Sequence, residues 1–290
     1  MRWRGRRGSG NIEDRRGQRG GRGVGRGIGR AGGLGGAGLI AVVVIGYFLG
    51  IDVTPLLNEA ALGPQTAQTT QITKSDKEAG QFVSVTLADT EEIWTEVFRR
   101  EGLGPYQPPV LVLFKGATNS PCGGASGASG PFYCPGDKKA YLDTQFFTTM
   151  AKRLGARGDF AAAYVVAHEV AHHVQNELGI LSKANKIRAE VSPAQSNAIS
   201  VRIELQADCY SGIWARYAEK RFGSLESGDL QEAQNAARQI GDDTLQRNAG
   251  RTPNPHSFTH GTSAQREAWF QRGYKTASLT ECDTFRASSL

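Results

Sequence analysis

The feature that most constrains the fold of this 290-residue chain is an abrupt change of composition along it. Residues 1–36 are rich in arginine and glycine and contain almost no core-forming side chains. A segment of this kind cannot bury enough apolar surface to offset the entropy that it would lose on ordering. We therefore predict a disordered N-terminal tail and place the folded domain in residues 80–290.

The positive net charge of the chain belongs to this tail. Residues 1–30 hold ten arginines against Glu13 and Asp14, a balance of +8, so that the remaining 260 residues carry about −2 of the total of +6. We expect no nucleic-acid binding by a domain so close to neutral. RGG-like pieces of the tail, such as residues 19–21, can contact RNA, although a basic tail beside a membrane explains the same composition.

An uncharged apolar segment follows the tail. Residues 31–51 contain no charged side chain and reach the length of about 17–25 residues that a transmembrane helix needs. We interpret residues 31–53 as a signal anchor, with a cleaved signal peptide as the alternative. The preceding arginines predict a single-pass protein of the bacterial cytoplasmic membrane, with its N-terminus in the cytoplasm and its domain outside. Residues 54–79 would be a linker.

The domain has the pattern of an α+β fold in which helices dominate. Strands are predicted where short apolar or alternating runs occur, at residues 110–114 and 139–143, and a Gly/Ser/Ala-rich loop over 118–130. The second strand could be an edge strand that pairs with an extended substrate or an ordinary core strand. Helices are predicted over 89–100, 144–154, 159–178 (N-cap Asp159, stop Gly179), 192–221 and 229–237.

The longest apolar helix carries the sequence His168-Glu169-Val-Ala-His172. Histidines four residues apart lie on one helical face, where two imidazole nitrogens can reach a single zinc ion at about 2.0–2.1 Å. Glu169 lies beside this pair and can take a proton from water that the metal activates, as in the HExxH motif of metalloproteases. His173 faces about 100° away from His172 and is expected to pack or to form hydrogen bonds instead.

A third ligand is expected on the following helix, where Glu204 and Asp208 share a face among apolar neighbours. We predict Glu204 as the ligand, which leaves one position of a tetrahedral zinc site open for chemistry. Asp208 would accept a hydrogen bond from the second ring nitrogen of a ligand histidine and so orient it. The prediction is one zinc ion per chain.

These motifs resemble the gluzincin class of metallopeptidases and, more closely, a bacterial family of neutral zinc metallopeptidases. The segments that carry the resemblance are residues 130–135, 141–143, 166–175, 204–210 and 257–266. The resemblance implies a zincin-like fold but little about the substrate, for which the peptidase motif predicts a peptide or protein. It also implies a side chain that binds the oxyanion formed during hydrolysis, for which His260 and Arg266 are the candidates.

Four cysteines occur, and an even number is typical of disulfides in an oxidising compartment. Three pairings are possible. If the domain lies outside the cytoplasm, we expect Cys122–Cys134, which closes the small-residue loop, and Cys209–Cys282. Four free thiols are the alternative.

Two other kinds of function stay open at this point. One is a zinc-binding scaffold of the cell envelope without peptidase activity, and the other is an RNA-associated protein that acts through the arginine-rich tail. The predicted function is that of a zinc-dependent endopeptidase. Glu169 favours a peptidase over a scaffold because a structural zinc site does not need a base. Structural sites also use four protein ligands, often cysteines.

Overall fold

The structure, a computed structural model, describes residues 1–17, 72–126 and 130–290. The strands are β1 Ile12–Asp14, β2 Val110–Phe114, β3 Ala117–Ser120, β4 Gly123–Ser126, β5 Phe132–Cys134 and β6 Lys139–Asp143. The α-helices are α1 Lys74–Glu101, α2 Phe146–Arg153, α3 Asp159–Glu177, α4 Ile180–Arg188, α5 Pro193–Phe222, α6 Asp229–Gln239, α7 Asp242–Asn248 and α8 Ser263–Thr276. Single 3₁₀ turns cover Pro255–Ser257 and Thr280–Cys282. The predicted α+β class with dominant helices is confirmed.

Four strands form the main sheet in the order β1-β2-β6-β5. β1, β2 and β6 run parallel, and β5 lies antiparallel to β6 at the edge. The interior strand β2 is almost wholly apolar, as expected for a parallel strand covered on both faces. Of the two alternatives for residues 139–143, the interior core strand is confirmed, because β6 is paired on both sides. The segment predicted as a loop, residues 118–130, contains most of the β3–β4 hairpin.

Helix α3 lies at the centre of the domain and packs against α5, α6 and α1. Its side chains are buried around almost its whole circumference, which is typical of a core helix. Gly158, rather than Asp159, occupies the N-cap, and the helix ends before Gly179, which has a left-handed φ of 71°. The position of the HExxH motif is therefore fixed by core packing on all sides.

The other predicted helices are present with shifted ends. α1 begins at Lys74, inside the predicted linker, because Thr73 and Asp76 form a capping box there. α5 begins at Pro193, with Ser192 as its N-cap, as predicted. Three helices were not predicted: α4, α7 and α8. They are short or polar, and so their apolar periodicity is weak.

The first 17 residues are folded, which contradicts the predicted disordered tail. β1 pairs with β2, and Trp3 packs edge-on against Phe82 at 5.4 Å between ring centroids. Arg6 donates two hydrogen bonds of 2.6–2.7 Å to Asp89. The composition of this segment was misleading because Arg4 and Arg6 pair with carboxylates from distant parts of the chain, and the segment adds a strand to an existing sheet.

The predicted single-pass topology in the bacterial cytoplasmic membrane is wrong. It requires residues 1–30 and the domain to lie on opposite sides of a bilayer, whereas β1 belongs to the main sheet of the domain. Among the residues that the structure describes, no helix is long and apolar enough to cross a membrane. The predicted anchor, residues 31–53, and the predicted linker up to residue 71 lie outside the described residues.

Replacing Trp3 by alanine tests whether the N-terminal segment belongs to the folded core. Trp3 is 5% exposed, and truncation of a buried tryptophan lowers the free energy of unfolding by about 3–5 kcal/mol. Urea denaturation of the full chain should show this loss. Arg2→Ala is the control, because the Arg2 side chain is 71% exposed and should change stability little. Equal denaturation midpoints for Trp3→Ala and wild type would contradict the packing.

Both predicted disulfides are confirmed. Cys122–Cys134 joins the β3–β4 hairpin to the edge strand β5, and Cys209–Cys282 joins α5 to the last 3₁₀ turn. The Cα atoms of the two pairs lie 5.8 and 5.6 Å apart. The first bridge therefore holds the edge strand at a fixed position, and the second holds the C-terminal segment against the helix that carries Glu204.

Candidate metal and catalytic site

Helices α3 and α5 bring the three predicted ligands together. One ligand atom from each of His168, His172 and Glu204 lies within 4.8 Å of the other two. Nε2 of His168 lies 3.0 Å from Oε2 of Glu204, and Nε2 of His172 lies 3.5 Å from its Oε1. Ligand atoms of a tetrahedral zinc site with bonds of about 2.0–2.1 Å are roughly 3.4 Å apart. The separations and the two-nitrogen, one-carboxylate donor set therefore fit zinc.

The second ring nitrogen of His172 is occupied, so that its Nε2 faces the cluster. Nδ1 of His172 lies 2.8 Å from Oε1 of Gln175, whose amide group donates to the carbonyl of Ile203. Gln175 is buried. Its amide oxygen can only accept a hydrogen bond, and so Nδ1 of His172 carries the proton and Nε2 keeps a lone pair for a metal.

Asp208 supports His168 from the opposite side. Its Oδ1 lies 3.0 Å from Nδ1 of His168, a hydrogen-bonding distance without full hydrogen-bonding alignment. Nε and Nη2 of Arg266 donate to Asp208 at 2.9 and 3.0 Å, and the Tyr164 hydroxyl donates to it at 2.5 Å. All four side chains are buried. The carboxylate is thus held in place by three donors, as a group that orients a ligand histidine requires.

The charges around the ligand atoms favour a cation between them. Burial acts to lower the pKa of His168, but Asp208 and Glu204 raise it to about 10. Burial acts to raise the pKa of Glu204, but His172 and His168 hold it well below its usual value of 4.5. Zinc would replace the protons that these groups stabilise, since ligand histidines must be neutral when they bind a metal.

Glu169 lies in the cavity but is not part of the ligand cluster. It lines the same cavity as His168 and His172 and is 9% exposed. Burial raises the pKa of its carboxyl group, an effect that His172 and His168 oppose. A base with a pKa raised toward neutrality accepts and returns a proton more readily than an ordinary surface glutamate.

His260 reaches the cavity from the loop before α8. Its Nδ1 lies 3.0 Å from the hydroxyl of Thr259 and 3.2 Å from Oδ1 of Asp242. Oδ2 of Asp242 accepts backbone hydrogen bonds of 2.6–2.9 Å from three successive residues, Thr259, His260 and Gly261. Asp242 is 3% exposed. The carboxylate therefore fixes both the loop and the histidine ring, with Nε2 left for the cavity.

Arg266 and His173 have other partners in the structure. Arg266 lines the cavity, but its Nε and Nη2 are engaged by Asp208, so it is poorly suited to bind an oxyanion. His173 lies outside the ligand cluster, as predicted: Nδ1 contacts the Tyr133 hydroxyl at 3.0 Å, and Nε2 contacts the carbonyl of Gln107 at 2.6 Å.

Three supporting residues were missed in the sequence. Gln175 could have been found, because it lies three residues after His172 and therefore on the same side of the helix. Nothing local to Asp242 or Tyr164 indicates their roles. Asp242 is 18 residues from His260, and Tyr164 is 44 residues from Asp208.

A cavity of about 480 Å³ surrounds these groups. Apolar parts of its wall come from α2 and α7 and from the residues that follow α2 and α6, with Phe146, Leu154, Ile240 and Leu245 among the contributors. β5 and α4 also contribute to the wall. His168, His172 and Glu204 line the same cavity, so a molecule bound there lies next to the metal position.

Comparison with known proteins agrees with this arrangement. Residues 1–285 match the family described as "Putative neutral zinc metallopeptidase", a match that includes the folded N-terminal segment. The uncharacterized protein YpfJ of Escherichia coli strain K12 is 45% identical over 289 residues, which is 99% of this chain and all of that protein. The uncharacterized protein Rv2575 of Mycobacterium tuberculosis strain H37Rv is 41% identical over 232 residues, 75% of each chain.

No solved structure matches this chain. The family match covers nearly the whole sequence, and relatives from two distant bacterial groups align over most of their own lengths. The chain belongs to the family of putative neutral zinc metallopeptidases.

Proposed function

We propose that the protein is a zinc-dependent endopeptidase with His168, His172 and Glu204 as the metal ligands. The observation that carries the proposal is the convergence of these three ligand atoms within 4.8 Å, with Glu169 on the wall of the same cavity. When bound, zinc would act as a Lewis acid that polarises the scissile carbonyl and activates water. A purely structural site would use a fourth protein ligand, and none lies in the cluster among the described residues.

Glu169 is the general base in this proposal. Its carboxylate accepts the proton of the attacking water and then donates it to the leaving amine. Burial supports this role, because it raises the pKa of the carboxyl group and excludes competing water. The three ligand residues cannot act as the general base, since their lone pairs would bind the metal.

His260 is the donor to the oxyanion. Nδ1 faces the carboxylate of Asp242, so that Nε2 donates a hydrogen bond into the cavity when the ring is protonated. Burial acts to lower the pKa of His260, but Asp242 and Glu204 raise it above 6.5. The ring therefore stays protonated to a higher pH than an ordinary histidine. Its N–H group is already in position before negative charge develops on the substrate.

The edge strand β5 is the proposed site for the substrate backbone. Tyr133 of this strand and the adjacent Pro131 and Pro135 line the cavity. One side of β5 pairs with β6, which leaves its other side for a peptide in extended conformation. The cavity also has walls from α2, α4 and α7, and in this proposal they hold peptide residues before and after the scissile bond, as cleavage inside a chain requires.

The test is incubation of the purified full chain with a diverse peptide library, analysed by mass spectrometry. The full chain is needed because residues 1–17 form part of the main sheet. We expect internal cleavages that stop with a chelator and return when zinc is added back. Zinc-loaded protein that cleaves no peptide or protein in such a library would favour a zinc-binding scaffold instead.

Replacing His260 by alanine should lower kcat about 10²–10³-fold, the usual effect of losing one oxyanion donor, with zinc content unchanged. In wild type, activity should also fall as the pH rises through the raised pKa of His260, since the protonated ring is the donor. This alkaline loss should be absent from the residual activity of His260→Ala. An unchanged kcat and the same pH profile would exclude His260 from catalysis.

A further inference from the structure

One face of helix α4 forms part of the cavity wall. Leu181, Asn185 and Arg188 line the cavity, and their spacing of four and then three residues places them in one row along the helix. Leu181 packs with Tyr133 of the edge strand and Ile203 of α5. The row is therefore anchored next to the proposed substrate strand and ends at the guanidinium group of Arg188.

The polar partners of Arg188 in the described part of the chain are neutral. Its Nη1 donates to Oδ1 of Asn185 at 3.1 Å, and its Nε donates to the hydroxyl of Ser196 at 3.3 Å. No acidic group among the described residues pairs with it, whereas the other arginine on the cavity wall, Arg266, is held by Asp208. Neutral acceptors thus orient the Arg188 guanidinium without neutralising its charge.

We propose that Arg188 forms a subsite for a carboxylate of the substrate, an inference that rests on the proposed peptidase function. A guanidinium with a fixed orientation binds a carboxylate through charge-assisted hydrogen bonds. In a peptide, this carboxylate is either the side chain of Asp or Glu or the C-terminus of the chain. The subsite selects peptides that carry such a group at a defined distance from the bond to be cleaved.

The distance between the Arg188 subsite and the metal position can be estimated along helix α5. Ser196, which contacts Arg188, precedes the ligand Glu204 by eight residues on this helix, a rise of about 12 Å. An extended peptide advances about 3.3–3.4 Å per residue. The carboxylate therefore lies about three or four residues from the scissile bond.

Binding to a variant that cannot turn over substrate tests the subsite without relying on activity. The probes are fluorescein-labelled ten-residue peptides of one neutral sequence with an amidated C-terminus, in which glutamate replaces glutamine at each position in turn. A further probe is the neutral peptide with a free C-terminus. Kd is measured by fluorescence anisotropy on Glu169→Gln and on Glu169→Gln/Arg188→Gln, both loaded with zinc.

We expect glutamate at one position, or the free C-terminus, to lower Kd on Glu169→Gln about 10- to 100-fold, the range for hydrogen bonds to a charged group. The additional Arg188→Gln change should abolish this gain and leave Kd of the neutral peptide unchanged. Arg188→Lys should keep part of the gain because it keeps the charge. A gain for one of the glutamate probes would identify a side-chain carboxylate as the group that binds. A gain for the probe with a free C-terminus would identify the C-terminal carboxylate.

Lys186→Gln, on the same helix but outside the cavity lining, is the matched control and should keep the full gain. Equal Kd values for all probes, or a gain that survives Arg188→Gln, would overturn the subsite. If the variants bind carboxylate probes as expected but the wild type cleaves nothing, the subsite is supported and only the peptidase proposal is refuted.

Discussion

Glu169→Gln should lower peptide hydrolysis by at least about 10²–10⁴-fold, the contribution of general-base catalysis, while zinc content stays that of wild type. Glutamine keeps the size of the side chain and its capacity for hydrogen bonds but cannot accept the proton of the attacking water. The nitrogen and oxygen atoms assigned to the metal belong to other residues. The measurements are kcat/KM on a cleaved peptide and zinc per chain by elemental analysis.

Glu177→Gln is the control for this variant. Glu177 is on the same helix and forms an ion pair with Lys138 at the surface, whose loss should cost little. Near-normal turnover of zinc-loaded Glu169→Gln would mean that this glutamate is not the base and that the helix holds metal for another purpose.

His172→Ala and Glu204→Ala should each weaken zinc binding more than about 100-fold. The reason is that loss of a mere supporting partner already costs about 10–100-fold in metal affinity, and these changes remove a donor atom itself. Activity should fall with zinc content and should not recover when stoichiometric zinc is added. Competition with a chromophoric chelator gives the affinity of each variant.

His256→Ala and Glu190→Ala are matched controls, because both side chains are exposed and lie outside the cavity lining. They should bind zinc as wild type does. Full occupancy in both ligand variants would show that the ligand assignment is wrong, whatever their activity.

The parts of the site that could be predicted from the sequence are those determined by helix geometry. His168 and His172 lie on one face because four residues make about one turn, and the same rule pairs Glu204 with Asp208. The exclusion of His173 from the ligand cluster follows from the same rotation. These relations hold in any α-helix and need no knowledge of the surrounding fold.

Other predictions failed where one part of the chain meets another far away in sequence. The arginine-rich composition of residues 1–17 predicts disorder when it is read alone, but the segment adds β1 to the main sheet and pairs Arg6 with Asp89. Likewise, residues 139–143 could not be distinguished as an edge or an interior strand, because strand neighbours depend on the whole sheet. The edge strand beside β6 is β5, which is only three residues long.

The sequence by itself thus determined the HExxH helix, the glutamate on the next helix and the α+β class, whereas the structure selected one of the three possible cysteine pairings. Only the tertiary structure decided that Asp242 holds His260, that Gln175 orients His172, and that Arg188 faces the cavity with no acidic partner among the described residues. The physical reason is the range of the interactions. Helical spacing is set by the backbone over a few residues, whereas a buried carboxylate or a guanidinium with neutral partners acquires its role from side chains that only folding brings near.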